Sequence, residues 1–396
     1  MIKRDRYISK IRGFYDSDLV KVIAGIRRSG KSVLLAQVID ELKERGVDDS
    51  HIVNINFENL DYSEILTARK LDEYIKGLIR DGGKYYVFLD EIQNVEDFEL
   101  AVNSLRATRN VSLFITGSNG KLLSGEFATH LSGRYVSFRI MPFSFREAYR
   151  CLGGAPETRD EIFMRYLKWG GMPQIYNLQL ESDYGIYLED LYNSIILKDI
   201  VDRLGLKDVD LLNRLMQFMI ENLGHIFSAN SIVKYLKSEA VSATPNKIYE
   251  YLDGIESALV VSRVSRYDIR GKKVMQFYDK FYLADLGLMQ IKRSSYEKSS
   301  PGRLENIVYN ELLARGKEVY IGETRGKEVD FVVKDFDRIT YIQVAETLTN
   351  QEVIDREFGV FRSVGDNYEK MVISMDKVDH SRDGIKHYNI VDWLFS

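Results

Sequence analysis

The sequence predicts an α/β protein built on a mostly parallel sheet with helices on both faces, and three observations predict it. Short apolar runs alternate with amphipathic segments from about residue 20 to 140, a glycine-rich loop joins the first run to a helical pattern, and the pattern changes three more times before the C-terminus. Strand-like runs lie at Leu19–Ala24, Ile52–Phe57, Tyr85–Leu89, Val111–Thr116 and Tyr135–Ile140. Helical patterns fall between them at Lys31–Arg45, Lys70–Arg80 and Asp97–Arg106. Strand and helix alternating at this spacing imply βαβ units, whose crossovers cover both faces of a sheet.

The 396 residues exceed what one hydrophobic core serves, so several domains are expected. From about 144 to 205 the pattern is helical and aromatic-rich. Three helix-length patterns follow (Asp208–Asn222, Ser228–Lys237, Pro245–Ser257), then the strand-like LVVSRVSRY and KKVMQFY around a turn at DIRGKK. Three helices and a hairpin are the pattern of a winged helix. Strands at Val319–Ile321, Val329–Lys334, Ile339–Val344 and Met371–Ser374 make the end of the chain mixed α/β. The expected division is 1–145 as the sheet core, 146–205 as a helical lid, 206–292 as a winged-helix-like segment and 293–396 as a terminal domain.

Apolar residues make up 45% and charged residues 29%, with a net charge of −4, so nucleic-acid contact would need a local basic patch. A single cysteine, Cys151, excludes an intramolecular disulfide. The charged start MIKRDRYISKIRGF lacks a signal-peptide core, and no run is long and apolar enough to span a membrane. A cytoplasmic location is the expectation.

Gly25-Ile-Arg-Arg-Ser-Gly30-Lys31-Ser32 matches G-x-x-x-x-G-K-[ST] at every fixed position, after the strand LVKVIA and before the helix KSVLLAQVIDELKERG. In such a P-loop the glycines let backbone N–H groups point inward, and the helix N-terminus adds partial positive charge. The expected nucleotide is ATP, held by Gly25, Arg28, Ser29, Gly30, Lys31, Ser32 and Val33. Lys31 would reach the β- and γ-phosphates, and the Ser32 hydroxyl would bind Mg²⁺.

The run Tyr85-Tyr-Val-Phe-Leu-Asp90-Glu91 is an apolar strand ending in two carboxylates at the edge where the loop lies. Asp90 is expected to hold Mg²⁺ with Ser32, and Glu91 to polarise the attacking water. The bland alternative is a strand followed by the acidic first turn of a helix. Ser118 and Asn119, after the strand Val111–Thr116, are candidates to bond the γ-phosphate or the water, with Asn119 also reading as a helix cap. Arg134 is a weaker candidate for adding charge at a phosphate, in cis or from another copy in a homo-oligomer.

In this order GIRRSGKS, FLDEIQ, FITGSN, LSGRY and PFSFREA resemble the prokaryotic AAA-like ATPases that carry a C-terminal domain of the DUF4143 type. GGMPQIY, LKDIVDRLGLKD and FYLADLGL resemble later landmarks of that family. The resemblance implies an additional-strand P-loop NTPase core, a helical lid, a winged-helix segment and a nuclease-like terminal fold. It carries nucleotide roles onto Gly30, Lys31, Ser32, Asp90 and Glu91.

Glu305, Asp330 and Gln343-Val-Ala345 look like the PD-(D/E)XK nuclease arrangement, with the second carboxylate and the lysine missing. Lys327 and Lys334 are poorly spaced to replace that lysine, and Glu346 shares a strand face with Val344 rather than Gln343. A fold kept for packing or binding is favoured over an ATP-dependent nuclease. Lys234, Lys237 and Lys247, with Arg263, Arg266, Arg270, Lys272 and Lys273 on the wing, make duplex DNA a candidate partner, although Glu239, Glu250, Asp253 and Asp268 dilute the patch. Two functions are thus expected: Mg²⁺-dependent ATP hydrolysis that rearranges the C-terminal modules, or a DNA- or protein-binding module with ATP as a structural ligand.

Overall fold

The computed structural model describes residues 2–108, 110–123, 131, 133–153, 157–202, 204–239, 241–275, 279–291 and 300–396. The chain divides into two compact units, Met1–Pro142 with Ser257–Leu259, and Phe143–Glu256 with Val260–Ser396.

The first unit runs α1 (Asp5–Arg12), β1 (Val20–Ala24), α2 (Lys31–Glu44), β2 (Ile52–Asn56), α3 (Ala68–Leu78), β3 (Tyr85–Asp90), α4 (Phe98–Ala107), β4 (Val111–Gly117) and β5 (Tyr135–Arg139). Among the described residues its strands form a parallel sheet in the order β2-β3-β4-β1-β5. Every position of β1, β3 and β4 is buried, as a parallel sheet covered on both faces requires. Strand β4 stands between β1 and β3, which is the additional strand that the resemblance implied. The core joins Ile8 and Ile11 of α1 to Leu34 and Val38 of α2 and to Phe88 and Phe114, whose rings stack at 4.5 Å. Since all strands are parallel, their carboxyl ends gather at one edge, where Ala24 sits beside Gly117 on one side and Arg139 on the other.

The second unit begins with α5 (Phe145–Cys151), α6 (Arg159–Trp169), α7 (Glu181–Ser194), α8 (Val209–Glu221), α9 (Ala229–Ser238) and α10 (Pro245–Ser257). Strands β6 (Val261–Val264), β7 (Arg266–Asp268), β8 (Lys273–Val274) and β9 (Lys280–Leu283) precede α11 (Gly287–Gln290) and α12 (Ser300–Ala314). The chain ends with β10 (Glu318–Thr324), β11 (Lys327–Asp335), β12 (Arg338–Val344), α13 (Gln351–Gly359), β13 (Glu369–Ser374), β14 (Lys386–Asn389) and α14 (Ile390–Phe395). No described helix is long and apolar enough to cross a membrane.

Two sequence landmarks meet here. The Asp285 carboxylate accepts from the Gly171 amide at 2.6 Å and from the Gly287 amide at 2.8 Å, tying GGMPQIY to FYLADLGL. Gly170 has φ 76°, and a Cβ there would collide with Asp285, so glycine is required twice over.

The hairpin expected at DIRGKK forms, and it is joined to a larger sheet. Strands β7 and β8 form the hairpin expected at DIRGKK, with Asp268 accepting from the Arg270 and Gly271 amides, but β7 pairs in parallel with β10. The hairpin is therefore the edge of a seven-stranded sheet, β14-β13-β12-β11-β10-β7-β8, while β6 pairs with β9 apart from it. Residues 276–278 of the expected KKVMQFY strand lie outside the described residues. Two basic residues of the expected patch are also ion-paired: Arg263 with Asp253 and Glu256, and Lys247 with Asp208.

Candidate functional site

The glycine-rich loop leaves the carboxyl end of β1 and enters α2 at Lys31. A Cβ on Gly25 would collide with the Ile140 carbonyl, and Gly30 at φ 96° takes a left-handed turn that frees the first amides of α2. Arg28 also has positive φ, 64°, and is exposed, whereas Ser29 is fully buried. Val33, in the first turn of α2, is 37% exposed.

Behind the loop lies a residue that the sequence did not single out. Arg4 is buried, and its guanidinium donates to the Ser29 carbonyl at 2.9 Å and the Met141 carbonyl at 2.8 Å. It braces the loop against the chain leaving β5. Nothing local in MIKRDRY marks it, because both partners are far along the chain.

Lys31 is buried with its ammonium 3.3 Å from a Glu91 carboxylate oxygen and 3.2 Å from the Gly25 carbonyl. Asp90, ending β3, accepts from the Ser32 and Thr116 hydroxyls and from the Asn56 amide at 3.2 Å. The Glu91 amide donates to Thr116 Oγ1 at 3.0 Å, so one threonine links both acids. Burial raises the Asp90 carboxyl above its ordinary range despite those hydroxyl donors. Burial pushes Glu91 upward too, but the Lys31 charge and the Gln93 amide outweigh it and hold Glu91 below the usual range. The environment thus moves two adjacent acids in opposite directions.

The structure brings together Gly25, Ser29, Gly30, Lys31, Ser32, Asp90 and Glu91 at this edge. Ser118 is buried just past β4, and Asn119 is half-buried before a 3-10 turn at Gly120–Leu123, accepting from the Leu122 amide. Thr116, two residues before Ser118, joins Ser32 in bonding Asp90, and a polar residue closing an apolar strand could have signalled it. Arg134 lies at the opposite edge, its carbonyl accepting from Val20 at the start of β1. Five paired residues of β5 separate it from the loop, roughly 16 Å. Arg139 occupies the edge position instead, beside Ala24.

In the second unit Glu305, Asp330 and Gln343 do converge. The Val344 amide donates to Asp330 at 2.8 Å, and the Asp330 amide to Gln343 Oε1 at 3.3 Å. The lysine comes neither from Lys327 nor from Lys334, whose ammonium lies over the Tyr267 ring. A different lysine, Lys280 of β9, is ion-paired among these acids: its buried ammonium is 2.6 Å from Glu328 and 3.2 Å from Glu305, which also accepts from Tyr282 at 2.9 Å. Burial opposes charge on Lys280, but Glu305, Asp330 and Glu328 together raise its pKa. Burial likewise raises Asp330 and Glu305. Among the described residues no group of three or more His, Cys, Asp or Glu is arranged to hold a metal.

Comparison with known proteins agrees with the first unit and revises the rest. Residues 17–149 match the family model of an AAA domain. Residues 160–295 match a domain of unknown function, DUF8612, in place of the DUF4143 type that the resemblance implied. An uncharacterized protein of Haemophilus influenzae is 37% identical over 399 residues, covering 100% of this chain and 98% of its own. Another, from Methanocaldococcus jannaschii, is 27% identical over 351 residues, 84% of this chain and 77% of its own. Among solved structures, a Walker-type ATPase of Pyrococcus abyssi covers 74% of this chain and 96% of its own with a TM-score of 0.53 at 15% identity, a likeness of fold.

Proposed function

This chain belongs to the family of that Haemophilus influenzae protein and carries an AAA-type P-loop domain, and we propose that it binds ATP with Mg²⁺ and hydrolyses it at the carboxyl edge of β1, β3 and β4. The observation that carries this reading is the meeting of Lys31, Ser32, Asp90 and Glu91 at one edge, with Ser32 bonded to Asp90 and Lys31 to Glu91. Loop amides and Lys31 bind the phosphates. Ser32 and Asp90 offer the hard oxygen donors that suit Mg²⁺, which when bound would neutralise charge on the β- and γ-phosphates. Glu91, ionised at neutral pH, accepts a proton from the attacking water. Turnover then rearranges the C-terminal modules, for which we keep the division into lid, winged-helix-like and nuclease-like parts.

A second reading, a DNA-binding module with ATP as a structural ligand, is supported by Arg270, Lys272 and Lys273, all exposed at the β7–β8 turn. Phosphate release, measured with and without duplex DNA, separates the two. Turnover that is lost in Lys31→Ala and in Glu91→Gln supports hydrolysis at this site. ATP binding without turnover, together with salt-sensitive DNA binding, would favour the second reading.

A further inference from the structure

We infer that Gln93 is a catalytic residue of the proposed ATPase, holding the attacking water jointly with Glu91. This rests on the hydrolysis reading and adds a residue to it.

Glu91 has φ 55°, so the chain turns sharply after β3 into a short 3-10 turn, Ile92–Asn94, and the side chains of Glu91 and Gln93 face one another. Gln93 Nε2 donates to Glu91 Oε2. The reverse amide orientation would set Oε1 against a carboxylate oxygen, so the donor must face Glu91. Gln93 Oε1 is then buried with no hydrogen-bond partner. A buried acceptor without a donor is costly and rare enough to ask for a ligand.

The place of that oxygen says which ligand. It sits against Gly117, where any Cβ would collide with it, and the Gly117 carbonyl accepts from the amide of Gly25, first residue of the phosphate loop. An acceptor fixed between Glu91 and that loop suits a small donor, a water lying between Glu91 and the γ-phosphate.

A second acceptor fixes the orientation of that water. A water giving one hydrogen to Glu91 and the other to Gln93 Oε1 turns its lone pair toward phosphorus. Its oxygen bonds to the γ-phosphorus as the bond to the β,γ-bridging oxygen breaks, and ADP leaves with that electron pair. One proton passes to Glu91 and later to solvent, and the other stays on the new phosphate.

The test compares Gln93→Met, of like size without the amide, and Gln93→Asn, which keeps the amide but withdraws it by a methylene. Steady-state hydrolysis by the full chain is measured alongside binding of a non-hydrolysable ATP analogue. We expect kcat to fall at least about tenfold in both, the scale for a misplaced reacting group, while KM and analogue affinity change less than about threefold. A Gln93→Met kcat within about twofold of wild type overturns the inference. So does joint loss of turnover and analogue binding in both variants, which identifies a packing role. Wild-type protein that binds the analogue but releases no phosphate removes the hydrolysis reading itself, and this inference with it, an outcome distinct from the other two.

Discussion

The Lys31 ammonium lies 3.3 Å from Glu91, so the cation expected to meet the phosphates and the acid expected to meet the water are bound to each other. Nucleotide must compete with that pair. Glu91→Gln is therefore expected to bind ATP about tenfold more tightly than wild type, or about 1.4 kcal/mol, while hydrolysis falls by roughly 10²-fold or more. Calorimetric titration beside a phosphate-release assay checks both, and weaker binding by the variant would show that the pair does not restrain Lys31.

Arg4→Ala leaves the Ser29 and Met141 carbonyls without their donor. Each orphaned buried acceptor costs about 1–3 kcal/mol, so the melting temperature and the ATP affinity should fall together. Arg4→Lys should recover only part, because an ammonium lacks the planar fork that reaches both oxygens. Thermal melting with and without nucleotide gives the answer.

Lys280→Met leaves Glu305, Glu328 and Asp330 without their cation. A buried pair broken on one side costs about 3–5 kcal/mol, and adding Glu305→Gln should return a measurable part of it. With the Lys280 ammonium among these acids, the wild-type protein is expected not to nick supercoiled plasmid in Mg²⁺ or Mn²⁺. Denaturant unfolding and plasmid gels test the two halves. Metal-dependent nicking that disappears in Asp330→Ala would contradict the second.

Asp285 gives a pH dependence of uncommon sign. Burial raises its carboxyl to about 7 in spite of two backbone donors. An unfolded aspartate titrates near about 3.9, so between there and about pH 7 the native chain holds a proton that the unfolded chain has lost. Its contribution to stability is complete below about pH 3.9 and is lost as pH rises to about 7. The stability of wild type relative to Asp285→Asn should decline across that window. A flat difference in urea unfolding would refute it.

The sheet core was legible because its signals are local. The phosphate loop is eight contiguous residues between a strand and a helix, and Asp90 and Glu91 simply end an apolar run. Arg4 and Lys280 were not, because each acquires meaning only from a partner that the fold delivers. Lys280 lies in DKFYL with nothing to mark it, and the acids it meets follow 25 to 50 residues later. The sheet that the hairpin joins was hidden for a related reason. The hairpin's turn is written in DIRGKK, but which strand it adds to is set by β10, whose pairing leaves no periodic trace in either segment.

That β7–β10 pairing also sets a schedule. Roughly fifty residues separate the two strands, about 3–10 s of synthesis at about 5–20 residues per second. Until the ribosome has delivered β10, the β7–β8 hairpin offers an open edge to any strand that passes. A nascent chain paused in this interval would be vulnerable to pairing with another on the same messenger, so the codons between these strands are where translation speed bears on yield.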